Sequence, residues 1–276
     1  MMRNRAVFSR ACRLGRMMPY RSAIRNFFFP KVCVFCGGVP VRSGRAKADS
    51  LCEDLSVCAV CLALLPFKLF TAHEIPCLSN AYESDPIPGF SVLVPFRYEG
   101  EIVSALRALK FNDAPYIART LGYFMATSAY ASGRSFDAVI PVPLSTSRLR
   151  RRGYNQAALL ATEISGRLEL PCLECFLIRT RSTRQQSRFV DPGLRAANVR
   201  GAFAVPEEAS VEGLRILLVD DVFTTGNTLH EAALALFRAG AADVTAVTTA
   251  SGRDDDNEKG FMTSDLSGAK KHRFAR

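Results

Sequence analysis

From Phe90 onward, short strand-like apolar blocks alternate with stretches whose apolar residues recur at helical spacing. Residues 91–98, SVLVPFRY, predict a strand, and Pro95 puts it at an edge of a sheet. Ile102, Val103, Leu106 and Leu109 predict a helix over Glu101–Lys110. A second helix is expected over Ala114–Tyr130, with Pro115 in its first turn. Asp137–Val142 reads as a strand, Pro143–Gly153 as a loop and Tyr154–Leu168 as a helix. Leu173–Ile178 and Gly201–Val205 read as strands on either side of a polar, mobile loop at 179–198. Ile216–Val219 is a wholly apolar run that suits a strand buried on both faces. Leu229–Phe237 then reads as a helix and Val244–Thr249 as the closing strand. Strands alternating with helices predict an α/β fold over residues 90–250, an open doubly wound, mostly parallel sheet.

The chain before Phe90 follows another pattern. Cys33-Val-Phe-Cys36 and Cys58-Ala-Val-Cys61 are two C-x2-C pairs with 21 residues between them. Two such knuckles suit a small four-cysteine zinc ribbon, placed at residues 29–75. Gly37 and Gly38 suit the knuckle turn after the first pair. With all four ligand places taken by sulfur, no position stays open for a catalytic water, so the Zn²⁺ would be structural. Cys52 offers an alternative ligand, and His73 reads as a surface residue. Cys12, Cys77, Cys172 and Cys175 read as free thiols; Cys172 and Cys175 make a third C-x2-C beside the expected Leu173–Ile178 strand and read as core or edge packing. Residues 40–50 suggest a loop within the ribbon, and the prolines of 76–89 a linker.

The net charge of +10 is unevenly spread. Residues 1–31 carry eight Arg or Lys and no acid, and 1–28 read as a basic disordered arm. Its composition also resembles a transit peptide, and Met17 or Met18 offers a later start. Arg148, Arg150, Arg151 and Arg152 form a second cluster; Arg179, Arg181, Arg184, Arg188, Arg195 and Arg200 form a third. Such clusters favour polyanions, against the plainer reading of a solvated surface. Residues 251–276 read as a disordered tail. No apolar run is long enough to span a membrane. With no secretory leader in evidence, a reducing, cytoplasmic setting is expected for the nine cysteines.

The densest chemistry lies in RILLVDDVFTTGNTL, Arg215–Leu229. An apolar strand runs into Asp220 and Asp221, then through Thr224, Thr225, Gly226, Asn227 and Thr228 into a helix. The start of a helix offers unpaired N–H groups and partial positive charge to a phosphate. The acids would instead hold hydroxyls or a divalent cation. Phosphate and diol gripped together describe a sugar phosphate. The plain alternative is a strand–turn–helix with a threonine N-cap.

This stretch resembles the phosphoribosyl pyrophosphate (PRPP) motif of type I phosphoribosyltransferases. The resemblance implies that Asp220 and Asp221 meet the ribose hydroxyls and that Thr224–Thr228 hold the 5′-phosphate. Pro141–Gln156, PVPLSTSRLRRRGYNQ, leaves a strand and would face the same crevice.

The four-cysteine ribbon, KFND at Lys110–Asp113, PVPL…RRGYNQ, R-x-R-x-T-x-x-Q at Arg179–Gln186, Arg195-x-x-Asn198 and the PRPP motif occur in that order over residues 30–250. This order resembles the ComF family, the competence protein F-like proteins. The resemblance implies a type I phosphoribosyltransferase-like domain behind a zinc ribbon, and a link to DNA uptake and natural transformation. Mg²⁺ would accompany PRPP, with Arg151, Arg152 and Lys110 near the pyrophosphate. The activity implied is phosphoribosyl transfer to a nitrogen nucleophile. The alternative is a non-catalytic PRPP or nucleotide sensor that engages single-stranded DNA and competence partners.

Overall fold

A computed structural model of the chain describes residues 32–39, 52, 54–68, 72–75, 88–111, 114–180 and 201–252. The basic arm, the 40–50 loop, most of the 76–89 linker, Asn112, Asp113, the 181–198 arginine segment and the tail lie outside the described residues.

The described elements are α1 (Ala59–Leu64), β1 (Ala72–Ile75), β2 (Phe90–Leu93), β3 (Phe96–Arg97), α2 (Gly100–Phe111), α3 (Ile117–Ala131) and β4 (Ala138–Pro141). They continue with α4 (Thr146–Arg152), α5 (Gln156–Leu168), β5 (Ile178–Arg179), β6 (Phe203–Ala204), β7 (Arg215–Phe223), α6 (Asn227–Arg238) and β8 (Asp243–Ser251). The main sheet runs β1-β2-β8-β7-β4, with β3 beside the end of β8. All its pairings are parallel except β1 with β2.

Strand β7 shows why the sheet is covered on both sides. Leu217 and Val219 belong to one buried cluster with Leu121, Leu160 and Ile164 of α3 and α5. Ile216 and Leu218 belong to the other, with Leu229, Ala232 and Leu236 of α6. Successive side chains of a strand face opposite ways, so an unbroken apolar run needs a helical layer on each face. Each fully buried leucine contributes roughly 1.5–3 kcal/mol, which makes this central strand the anchor of the domain.

Four sequence expectations differ from the structure. Residues 91–98 do not form one edge strand. Pro95 separates β2 from β3, and β1 covers the outer side of β2. Ala72–Ile75, read with the ribbon, is therefore the edge strand of the main sheet; four residues of alternating exposure were too short a signal to assign. Leu173–Ile178 is mostly a 3₁₀ turn at Glu174–Phe176, because Leu173 and Leu177 both turn into the α6-side cluster. Only Ile178–Arg179 is extended, and it pairs antiparallel with Phe203–Ala204 in a separate two-stranded sheet. Cys172 bridges to Val139 at the sheet margin, and Cys175 is exposed. Last, the expected loop 143–153 contains helix α4, which buries none of its residues and so carries no apolar period to read.

The ribbon packs on this sheet. Cys33, Phe35, Leu55, Val57, Cys61 and Leu65 belong to the same buried cluster as Phe96, Leu121 and Phe124. Thr120 Oγ1 donates to Leu55 O at 2.5 Å, and Arg119 of α3 pairs with Asp54. Lys68 N–H donates to Pro95 O at 2.8 Å and Arg97 N–H to Pro66 O at 2.9 Å. The Phe67 ring lies 5.0 Å from that of Phe96 and 5.5 Å from that of Phe124, at favourable tilted and edge-on angles.

Candidate functional site

At the C-terminal ends of β4 and β7 lies a crevice of ≈370 Å³, the position where open parallel sheets bind ligands. Asp220, Asp221, Thr224, Thr225, Gly226 and Thr228 line it from the β7–α6 side. Strand β7 extends to Phe223, so the acids sit inside its final turns of pleat, not after it. Their side chains leave opposite faces of the strand, yet both reach the crevice. The carboxylates and the threonine bend border the same hollow.

Gly226 ends that bend in the left-handed region, at φ +82°, and leads into α6. A Cβ there would stand 2.9 Å from Phe223 Cε2. Both facts select glycine. Gly226→Ala is expected to cost at least about 1–2 kcal/mol from the backbone alone. Thermal unfolding should show a midpoint several degrees lower, and an unchanged midpoint would contradict the strained geometry. The first bond of α6 runs from His230 N–H to Gly226 O at 2.8 Å. The N–H groups of Asn227, Thr228 and Leu229 therefore precede the helix's own ladder, and Thr228 and Leu229 line the crevice.

The opposite wall is built by the YNQ triplet at the start of α5. Tyr154 Oη donates to Leu109 O at 2.6 Å and fixes the end of α2. Asn155 Oδ1 accepts from Ala157 N–H at 3.1 Å as an N-cap, while its Nδ2 donates to Val142 O at 3.0 Å and ties the helix to the strand β4 exit. Gln156 Nε2 donates to Asp221 Oδ2 at 2.8 Å. Lys110 Nζ, held at the end of α2, reaches the same oxygen at 2.9 Å. Lys110, expected near the pyrophosphate, lines the crevice and pairs there with Asp221.

Helix α4 sorts its arginines. Arg148 and Arg152 stand one turn apart and both line the crevice, whereas Arg151 is exposed and outside the lining. Arg152 lies over the Phe111 ring, 5.0 Å from its centroid. Arg179, from β5, lines the crevice too and stacks on Phe203 at 5.0 Å. The sequence places Arg148 and Gln156 in the crevice-facing Pro141–Gln156 stretch without singling them out, and puts Arg179 at the start of a mobile loop. The i, i+4 spacing of Arg148 and Arg152 was the available signal for the first.

Five cations, Arg107, Lys110, Arg148, Arg152 and Arg179, face two carboxylates across this hollow. Burial lowers Arg148 and Arg152, and burial together with the neighbouring Arg148 charge lowers Arg179 to about 10. Burial and then the Asp221 charge push the Asp220 carboxyl up to about 7. Cationic side chains outnumber carboxylates in the crevice lining, a balance that favours an anionic ligand.

The four cysteines converge separately. The sulfurs of Cys33, Cys36, Cys58 and Cys61 lie within 4.8 Å of one another, and Cys36 Sγ is 3.8 Å from Cys58 Sγ. Four thiolates on a tetrahedral zinc at about 2.3 Å stand about 3.8 Å apart, so the set is compatible with structural zinc. Gly37, at φ +72°, turns the first knuckle, and its N–H donates to Cys33 O at 2.9 Å. Burial opposes ionisation of Cys33, but backbone N–H groups around it prevail and lower its thiol to about 7. Burial and the three neighbouring sulfurs push Cys61 up. Cys52 is buried nearby but stands outside the cluster, and His73 lies on β1 with Nε2 3.2 Å from Lys68 Nζ. No helix among the described residues is long and apolar enough to cross a membrane.

The phosphoribosyl transferase domain model matches residues 151–267. The chain is 36% identical over 228 residues to DNA utilization protein YhgH of Escherichia coli O157:H7, covering 78% of this chain and 94% of that protein. It is 34% identical over 231 residues to competence protein F of Haemophilus influenzae, covering 79% and 95%. Among solved structures, a B. subtilis glutamine PRPP amidotransferase complexed with ADP and GMP is similar over 52% of this chain and 30% of that one, at 21% identity and a TM-score of 0.36. With this level of identity along nearly the whole length of such relatives, the chain belongs to the ComF family, the competence protein F-like proteins with a phosphoribosyl transferase domain.

Proposed function

We propose that the crevice binds PRPP and that the protein serves the uptake and use of DNA, the processes for which its relatives are named. The observation that carries the ligand is the meeting of Asp220, Asp221 and the Thr224–Thr228 bend around one cation-rich hollow. The 5′-phosphate would take the bend and the start of α6. The ribose hydroxyls would take the two carboxylates. The pyrophosphate would lie toward Arg148 and Arg152, on the α4 wall. Magnesium suits this donor set, since hard carboxylate oxygens and the ligand's own phosphates are its usual partners; Asp220 and Asp221 would hold it and it would neutralise leaving-group charge. The residues of the ribbon would hold one structural zinc.

The reaction that fits is transfer to a nitrogen nucleophile. The bond from C1 to pyrophosphate breaks, a bond from C1 to nitrogen forms, the proton on that nitrogen passes to solvent, and Arg148 and Arg152 stabilise the departing oxygens. Calorimetry with PRPP and Mg²⁺ is expected to give saturable binding that weakens as salt is raised. Absence of binding would end the proposal. Pyrophosphate release across a panel of bases separates an enzyme from a sensor: binding without release in any of them leaves the non-catalytic reading.

A further inference from the structure

Gln156 carries a feature that the structural role of the YNQ triplet does not use. Its side chain is buried, with 4% of the residue exposed, and it lines the crevice. Its Nε2 is committed to Asp221 Oδ2 at 2.8 Å. Its Oε1 is also buried, and no donor among the described residues reaches it. The orientation of the amide follows from chemistry. Turned over, Oε1 would face a carboxylate oxygen that already accepts from Lys110 at 2.9 Å, acceptor against acceptor. The unmatched atom is therefore an acceptor, and a buried acceptor without a donor is costly. On the same wall Arg152 Nε is a buried donor with no partner among the described residues. The crevice lining thus holds an unmatched acceptor and an unmatched donor.

We propose that Gln156 is a specificity-determining residue, whose Oε1 accepts a hydrogen bond from one ring hydroxyl of the bound pentose phosphate. This rests on the sugar-phosphate reading above and adds a reader to the acidic pair. Asp221 fixes the amide, and the amide in turn demands a donor from the ligand. A sugar lacking that hydroxyl leaves the acceptor buried and empty, so the site selects ribose over the corresponding deoxyribose. Selection by a polar group left unpaired is stronger than selection by shape.

The test measures equilibrium binding of ribose 5-phosphate, its 2-deoxy and 3-deoxy analogues, and PRPP to the full chain. The protein is wild type or Gln156→Met. In the wild type, one deoxy analogue is expected to bind about 10- to 100-fold more weakly than ribose 5-phosphate. In Gln156→Met that gap should close to within about threefold, while the other analogue keeps its gap. Gaps at neither position in the wild type, or gaps that Gln156→Met leaves unchanged, overturn the inference. Should Gln156→Met not fold, the fluoro analogue decides on wild-type protein. Fluorine cannot donate, so it must weaken binding as much as removal of the hydroxyl does, and binding equal to ribose 5-phosphate overturns the claim. If neither ribose 5-phosphate nor PRPP binds, the sugar-phosphate reading fails and takes this one with it. If both bind and only the Gln156 dependence is missing, this inference alone falls.

Discussion

Asp221→Ala is expected to abolish measurable PRPP binding, or weaken it by about 100-fold or more. The carboxylate is buried at 7% exposure and its Oδ2 gathers Lys110 and Gln156, at 2.9 and 2.8 Å. Its removal does two things at once. It deletes a charged acceptor for a ribose hydroxyl, a contact of about 1.5–3 kcal/mol. It also frees an ammonium and an amide whose positions it had set, and truncating one partner of such a buried charge pair costs about 2–5 kcal/mol in comparable interfaces. Part of that loss will appear as lower thermal stability, so binding must be measured well below the unfolding midpoint. Asp137→Asn provides the control. Asp137 meets Arg215 through a forked pair at 2.9 and 2.8 Å, at the far end of β7 from the crevice. The Arg215 guanidinium holds its carboxyl at about 2, so this pair is intact at neutral pH. Asp137→Asn should therefore alter stability and leave PRPP affinity alone. Equal affinity of Asp221→Ala and wild type would remove the basis for the ribose assignment.

The reach of the sequence can be judged residue by residue. The bend Thr224–Thr228 and the two acids were legible because they form one ordered string, in which local backbone geometry and chemistry coincide. The four cysteines were legible for the same reason, since spacing within each pair sets the knuckle. What was not legible depended on three-dimensional pairing. Lys110 carries no sign in its neighbourhood that Asp221, more than a hundred positions later, will take it. Gln156 reads as an ordinary first-turn residue until Asn155 caps α5 and aims it at β7. Helix α4 was hidden because only Leu149 among its seven residues is a large apolar one, and that residue is 42% exposed. Its direction decides which arginines line the crevice: Arg148 and Arg152 do, while Arg151 is exposed. Strand β1 was assigned to the ribbon because nothing in four residues of half-exposed chain tells which sheet they will join.

Joining the ribbon to the sheet raises the second large expectation. Cys33→Ser should lose the zinc, near one ion per chain in the wild type, and should lower the thermal midpoint by well over ten degrees. Zinc bound by four thiolates in small fingers contributes about 10–16 kcal/mol at neutral pH, comparable to the whole stability of a typical domain. In a free-standing ribbon that loss would stay local. Here Leu55, Val57 and Leu65 share one buried cluster with Phe96, Leu121 and Phe124, and Thr120 bonds directly to Leu55 O. Releasing the knuckles uncovers α3 and the β3 end of the sheet. At about 2–4 °C per kcal/mol for a chain of this size, a loss of only five kcal/mol would already shift the midpoint by about 10–20 °C. Chelation of the wild type should reproduce the shift, and added zinc should reverse it in the wild type and not in Cys33→Ser. The same loss should leave the crevice chemistry formally intact, because no ribbon residue among the described residues lines it. Metal-free protein that melts at the wild-type temperature would show that the sulfur cluster holds no ion of structural weight.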